Sequence, residues 1–515
     1  MSKREQQRVH VVSLGCPKNR VDSEVMLGHL VKDGYQLVER PDDADVIVVN
    51  TCGFIDAAKE ESVDTILDMA QHKSVGHCKK LVVAGCLSQR YAPDLAKEIP
   101  EIDHFLGTGN LDTITQVLGA KPGTGHPRLP VLRDVPTSSQ GPRRERGDYH
   151  PRLVGRNALV PYRHDPQAGA ERPVSIPDPD FTLSAASPRV RTLPRYTTYV
   201  KISEGCSNTC AFCVIPKIRG PQRSRPVSDV VTEVERLVDE GVVEVNLIAQ
   251  DLCAYGRDLP HKESLGQLLR ALDGVANGRP LWLRCLYAYP RGLTRDIMEA
   301  MATATHVVPY LDMPLQHIND RILKRMRRGK GGAATRTLIR ELRATIPHLT
   351  LRTAFITGLP GETEAEFQEL CDFVEEVRFE QLGVFTYSPE EDTPAATMGQ
   401  QVPFDVASER RERLMALQQK VSRAHQKAFV GHTIEVLVEG VSDETELLLT
   451  GRHRGQAPEI DGVTYINEGV ASPGDLVKVR VTQAGHYDLI GGIVTHDHRP
   501  RVGHKPRMDS LASPR

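Results

Sequence analysis

"EGCSNTCAFC", residues 204–213, places Cys206, Cys210 and Cys213 within eight positions of a 515-residue chain that contains ten cysteines. The stretch follows the apolar run "TTYVKIS", so the three thiols leave the end of a strand in a loop of Gly, Ser and Asn. A structural zinc site closes four ligands, commonly as two paired half-sites, and no fourth Cys or His stands at a usual spacing here. Buried cysteines serve singly as small hydrophobes, but packing does not select three of them in one polar loop. Three thiolates suit a 4Fe-4S cluster that leaves one iron without a protein ligand, because an open position is what a metal needs to bind and activate a substrate. The loop therefore points to an enzyme whose site lies at the carboxyl end of a strand.

Outward from this loop, residues 197 to about 390 alternate strand-like runs ("TTYVKISE", "VVEVNLIAQ", "LWLRCLYAY", "VVPYLDM", "LTLRTAFITG", "QLGVFTYS") with helical patterns such as "SDVVTEVERLVDEG". Six units are too few for a closed eight-fold barrel and fit a partial (β/α)6 barrel, with its site at the carboxyl ends of the strands. "TGLPGET", residues 357–363, follows the fifth of these runs with Gly358 and Gly361, and reads equally as a plain strand-to-helix turn.

The first 120 residues repeat the alternation, with "VHVV", "DVIVV" and "KLVVA" separated by helical spacing, as an α/β domain built on a parallel sheet requires. Cys16, Cys52 and Cys86 each stand just after one of these three runs. Parallel strands of one sheet would deliver all three thiols to the same edge, where they can hold a second cluster. Each also reads as a small residue at a strand end. Cys78, Cys253, Cys285 and Cys371 share no such placement and are expected to be structural.

Residues 121–194 hold 13 of the 35 prolines and carry 12 basic against 7 acidic residues, which reads as a disordered insert or linker. The central domain, expected over 195–426, closes with a helix bearing Leu414, Leu417, Val421, Ala424 and Ala428 that bridges to the next domain. Residues 427–495 alternate at period two with Gly-containing turns, the pattern of a small antiparallel β-barrel, and 496–515 read as a disordered tail.

Sixty-five basic against 67 acidic residues give a net charge of −2, so composition names neither a nucleic-acid nor a membrane partner. The N-terminus lacks a long apolar segment and a small-residue cleavage site, and no run approaches the eighteen or so apolar residues needed to span a bilayer. A soluble, cytoplasmic protein is expected, in a compartment where clustered thiols bind metal or do chemistry rather than form bridges.

At Cys206, Cys210 and Cys213 the chain resembles the radical S-adenosylmethionine superfamily. That resemblance implies that S-adenosyl-L-methionine chelates the open iron and is cleaved by an electron to a 5'-deoxyadenosyl radical. A flavodoxin or ferredoxin would supply the electron. It also implies that Phe212, between the second and third cysteines, lies near the adenine, and that the loop of Gly358 and Gly361 faces the cofactor. With the second trio and the terminal barrel, the chain resembles the methylthiotransferase family within that superfamily, whose last domain is a TRAM-type barrel. "SLGCPKNRVDSE" and "KISEGCSNTCAFCVIPKIRG" are most similar to its branch acting on a ribosomal-protein aspartate, and "VSRAHQ" and "YLDMPLQHIND" also fit. Arg20, where an apolar residue is more typical, and the long insert depart from the pattern. The resemblance implies two clusters, two uses of S-adenosyl-L-methionine, and methylthiolation of an aspartate β-carbon in small-subunit ribosomal protein twelve. The sister branch acts on adenosine in transfer RNA and shares every cofactor residue.

Charge bears on that choice independently. Residues 427–495 carry five basic and ten acidic side chains, a net −5, where a module gripping a phosphate backbone should be basic. An acidic barrel suits a basic ribosomal protein. "RILKRMRRGK", residues 321–330, runs the other way, as an RNA contact, a solvated helix face, or a site for an acidic substrate loop or a cofactor carboxylate.

Overall fold

The computed structural model describes residues 6–119 and 176–496. The expected insert as far as residue 175, and the expected tail beyond 496, lie outside the described residues.

The first sheet contains β1 (Arg8–Ser13), β2 (Gln36–Leu37), β3 (Val46–Thr51), β4 (Lys80–Gly85) and β5 (His104–Leu106). They run parallel in the order β2-β1-β3-β4-β5. All six residues of β3 are buried, as a central strand covered on both faces must be. Alternate residues serve alternate faces. Val12, Ile47, Val49, Leu81 and Val83 pack with Ile66 of helix α2 (Asp56–Gln71, after α1 at Pro17–Lys32) and Leu95 of α3 (Cys86–Glu98). Val9, Val46, Val48, Val82 and Ala84 pack with Met26 and Leu30 of α1 and Ile114 of the short α4 (Ile114–Val117).

The central sheet is the expected open, six-stranded parallel array. Its strands are β6 (Thr197–Lys201), β9 (Glu244–Ile248), β10 (Trp282–Leu286), β11 (Val307–Asp312), β12 (Thr350–Thr357) and β13 (Gln381–Thr386), in the order β13-β12-β11-β10-β9-β6. A two-stranded ribbon, β7 (Ser203–Glu204) with β8 (Arg223–Ser224), brackets the cysteine loop and the short helix α5 (Ile215–Arg219). Helices α6 (Val227–Asp239), α7 (Leu265–Asp273), α8 (Arg295–Thr303), α9 (Asp320–Arg325), α10 (Gly332–Thr345) and α11 (Glu364–Val377) intervene between or follow the strands. Phe355, Phe373 and Phe379 lock α11 to β12 through edge-to-face contacts with centroids 5.6–6.3 Å apart.

The first sheet and the central sheet belong to one compact unit, Met1–Gln418. Residues 176–194 correct the expectation of a linker running to 194. Leu183 and Val190 are buried, and Arg189 is 4% exposed between Glu24 of α1 (2.6 Å) and Glu233 of α6 (2.9 Å). A guanidinium answering two buried carboxylates fixes this proline-containing segment, together with its buried Leu183 and Val190.

The second unit starts at Gln419, inside helix α12 (Phe404–Phe429), rather than at the expected 426/427 boundary. It closes a five-stranded barrel of β14 (Thr433–Val441), β15 (Leu449–His453), β16 (Thr464–Glu468), β17 (Leu476–Ala484) and β18 (Leu489–His496), in the order β14-β15-β16-β18-β17. The pairings are antiparallel except β16 with β18, which is parallel. Among the described residues no helix is long and apolar enough to cross a membrane.

Candidate active site

The loops that follow β1, β3 and β4 lie side by side at one sheet edge. Cys16 precedes α1, Cys52 follows β3, and Cys86 opens α3. Gly15, at φ +84°, approaches so closely that a Cβ on it would stand 2.7 Å from Cβ and 3.0 Å from Sγ of Cys52. Asn19 ties the loops by donating from Nδ2 to the carbonyls of Leu14 (3.0 Å) and Thr51 (2.8 Å). Ser62 accepts from the Cys52 amide at 3.0 Å and donates to its carbonyl at 2.8 Å. Burial, then the neighbouring Cys86 and Cys16, pushes the Cys52 thiol up to about 12. Burial foremost also raises Cys86, with Cys16 adding to it and Arg219 opposing. The three strand ends thus bring Cys86 and Cys16 within electrostatic reach of Cys52.

The second trio is held by backbone as much as by side chains. The Cys206 amide donates to the Gly220 carbonyl at 3.0 Å, and the Cys213 amide to that of Cys210 at 3.2 Å. Asn208 reaches Cys206 Sγ at 3.4 Å while bonded to Asp251 at 2.8 Å, and Arg328 Nη1 donates to Cys210 Sγ at 3.4 Å. Burial, then Cys210 and Cys206, pushes Cys213 up to about 12, against an opposing bond from the Ile215 amide. The Ala211 amide donates to the Met326 carbonyl, and its own carbonyl accepts from the Ala395 amide, each at 2.8 Å.

Phe212 packs, half-buried, in an apolar cluster with Ile322, Met326, Leu359 and Ala395, which brings "TGLPGET" beside the cysteine loop. The two glycines there have backbone reasons of their own. Gly358 has φ +81° and would place a Cβ 2.3 Å from that of Ala407; Gly361 has φ +80° and donates to the Gln400 carbonyl at 2.6 Å. Cys78, Cys253, Cys285 and Cys371 are buried apart from both trios, in the hydrophobic cores.

Sequence reading missed the charged network that joins the trios. Arg219, at the end of α5, donates from Nη2 to Cys86 Sγ at 3.6 Å and from Nη1 to Glu204 Oε1 at 3.1 Å. Glu204 in turn accepts from the Gly205 amide, the residue before Cys206, at 3.2 Å. Asp22 pairs with Arg219 at 2.9 Å and with Lys201, and Lys201 reaches Glu204 at 2.6 Å. All four side chains are at most 5% exposed. A Lys and a Glu in a strand buried on both faces, "YVKISE", were the available signal. Lys18 was missed too: it is 8% exposed, with Nζ 3.1 Å from the Tyr287 ring centroid. Burial pushes its ammonium down to about 8. Tyr287 and Gln316, beyond β10 and β11, have φ of +72° and +75°, strain of the kind that gathers at functional sites.

The donor sets can be tested for fit. Among the described residues no group of three or more His, Cys, Asp and Glu side chains is placed to hold a single metal ion. The ligands of an iron–sulfur cluster bond to different irons and stand wider apart. Thiols that raise one another, with amide and guanidinium donors at their sulfurs, suit an anionic sulfur-rich centre.

The comparisons agree with this arrangement. Residues 8–107 match the family described as uncharacterized protein family UPF0004, 200–374 the radical SAM superfamily and 430–494 the TRAM domain. The chain is 52% identical over 95% of its length to the ribosomal protein uS12 methylthiotransferase RimO of Anaeromyxobacter sp. (strain K), covering 94% of that protein. It is 47% identical over 97% to the enzyme of the same name from Myxococcus xanthus (strain DK1622), covering 94% of it. The radical S-adenosylmethionine methyltransferase TsrM from Kitasatospora setae, solved with tryptophan and a SAM analog, superposes with TM-score 0.50 over 81% of this chain and 89% of that one. At 16% identity it shows the fold alone. Two parallel sheets, each followed at its strand ends by a cysteine trio, a TRAM barrel and near-full-length identity at this level place the chain in the RimO family of ribosomal protein uS12 methylthiotransferases, within the radical SAM superfamily.

Proposed function

We propose that this chain, in the cytoplasm, methylthiolates the β-carbon of one aspartate in ribosomal protein uS12 and holds two 4Fe-4S clusters to do so. Cys206, Cys210 and Cys213 would hold the first and Cys16, Cys52 and Cys86 the second. When bound, the clusters and S-adenosyl-L-methionine supply a radical able to take hydrogen from an unactivated carbon, and the sulfur and methyl group that replace it. The observation that carries this reading is the joining of the trios, in one compact unit, through Cys86, Arg219, Glu204 and the Gly205 amide.

The protein's own residues divide the remaining work. Phe212 and Leu359 give the cysteine loop an apolar flank for the adenine, and the turn at Gly358 and Gly361 lines the same side. Asn208 and Arg328 present N–H groups to the sulfurs of Cys206 and Cys210, which lowers the cost of negative charge there. Arg219 does the same for Cys86. A flavodoxin- or ferredoxin-type protein supplies the electron.

The test is anaerobic incubation of the reconstituted protein with S-adenosyl-L-methionine, reductant, sulfide and uS12, followed by peptide mass spectrometry. One aspartate gains a methylthio group, and the gain disappears in Cys206→Ala and in Cys52→Ala. An adduct on adenosine of transfer RNA, with none on uS12, would overturn the reading.

A further inference from the structure

Lys18 stands two residues after Cys16, on the first turn of α1, yet its ammonium lies against the central sheet. Nζ is 3.1 Å from the centroid of Tyr287, which follows β10, and within electrostatic reach of Asp312 at the end of β11 and of Glu204. The neighbouring cations close ion pairs. Lys201 pairs with Asp22 and Glu204, Arg219 with the same two, and Arg352 with Asp312 at 2.9 Å. Lys18 differs: among the described residues its ammonium closes no hydrogen bond or ion pair and rests on the Tyr287 ring, with Cys16, Asp312 and Glu204 acting on it only through space. A nine-tenths buried ammonium without a carboxylate is costly, and a cation–π contact offsets part of that cost. The Tyr287 backbone has φ +72°, and its amide donates to Asp312 Oδ2 at 3.2 Å.

We propose that Lys18 recognises the carboxylate of the substrate aspartate, pairing with it as that side chain enters between the two cysteine trios. This rests on the function proposed above. The carboxyl carbon of an aspartate is bonded directly to its β-carbon. Fixing the carboxylate on Lys18 therefore sets the reacting carbon beside the Cys16 loop while leaving it at the carboxyl ends of β10 and β11. The pairing also selects the residue. An asparagine of the same shape leaves the ammonium buried without its counter-charge, and a site built around a charged group rejects the analogue lacking it.

The experiment measures binding to the anaerobic holoenzyme by fluorescence anisotropy, using a labelled uS12 loop peptide with the target aspartate and the same peptide with asparagine there. Wild type should prefer the aspartate peptide by about tenfold to a hundredfold. Lys18→Gln should bind both peptides within about threefold of each other, and Lys18→Arg should keep part of the preference. Iron content and melting temperature serve as controls for assembly. A Lys18→Gln protein that keeps the wild-type preference overturns the proposal, as does one that loses affinity for S-adenosyl-L-methionine while keeping that preference. Should Lys18→Gln not assemble, wild type alone still decides, because equal affinity for the two peptides overturns it. Failure of the underlying function looks different: wild type then leaves the uS12 aspartate unmodified whatever Lys18 does.

Discussion

Arg219 is 1% exposed and touches the thiol of one trio, the carboxylate beside the other, and Asp22 of α1. Burial alone would lower its affinity for a proton, but Glu204, Cys86 and Asp22 together raise it well above the ordinary guanidinium value. It is a permanent charge, and the carboxylates around it depend on it. Removing one partner of a buried pair leaves an uncompensated ion and costs about 3–5 kcal/mol. Arg219→Gln should therefore lower the melting temperature of the apo-protein markedly. Arg219→Lys should fall between, since it keeps the charge and loses the fork that spans Glu204 and Cys86. Equal melting of Arg219→Gln and wild type in differential scanning calorimetry would show that the network does not join the two sheets energetically.

At the scale of elements, the segment from Leu183 to Thr192 acts as a strap between α1 and α6. Glu24 accepts from the Thr192 amide at 2.7 Å, and the Val190 amide donates to the Glu24 carbonyl at 2.9 Å. Helix α1 makes room for it with Gly28, where a Cβ would stand 2.3 Å from the Pro188 carbonyl carbon and 2.5 Å from the Arg189 amide. Gly28→Ala must displace backbone, at a cost of about 1–3 kcal/mol. The expected readout is faster amide hydrogen exchange over 183–192, with exchange in β12 unchanged; unaltered exchange in the strap would mean that Gly28 does not seat it. This element also marks where sequence reading stopped. The strands, and the place of both cysteine trios after strand ends, were legible because each is announced locally, by an apolar run and the residues after it. The strap was not, because it continues a proline-rich stretch that resembles a linker, and its order comes from Glu24 and Glu233, both distant in sequence. Lys18 escaped for the same reason, since nothing near it in the chain reveals Tyr287. The parallel closure of β16 on β18 was equally hidden, because period-two alternation fixes a strand's faces and not its neighbour.

For the whole molecule, charge is distributed unevenly over a chain that is nearly neutral. The barrel region, 427–495, carries −5 against −2 for all 515 residues. A basic ribosomal protein approaching such a chain is drawn first to its acidic part, and that attraction raises the association rate more than the final affinity. Glu446 and Glu468 are exposed on the barrel, so changing them tests steering without disturbing a core. Glu446→Lys with Glu468→Lys moves the region from −5 to −1. At low ionic strength kcat/KM for intact uS12 should fall by about three- to tenfold, and kcat should not. The difference should vanish as salt shortens the screening length to a few ångströms, and should be absent for a short uncharged peptide bearing the aspartate. If the double variant matches wild type on intact uS12 at low salt, the barrel's acidity serves solubility alone, and discrimination between protein and RNA must lie with the residues around the cysteine trios, Lys18 first among them.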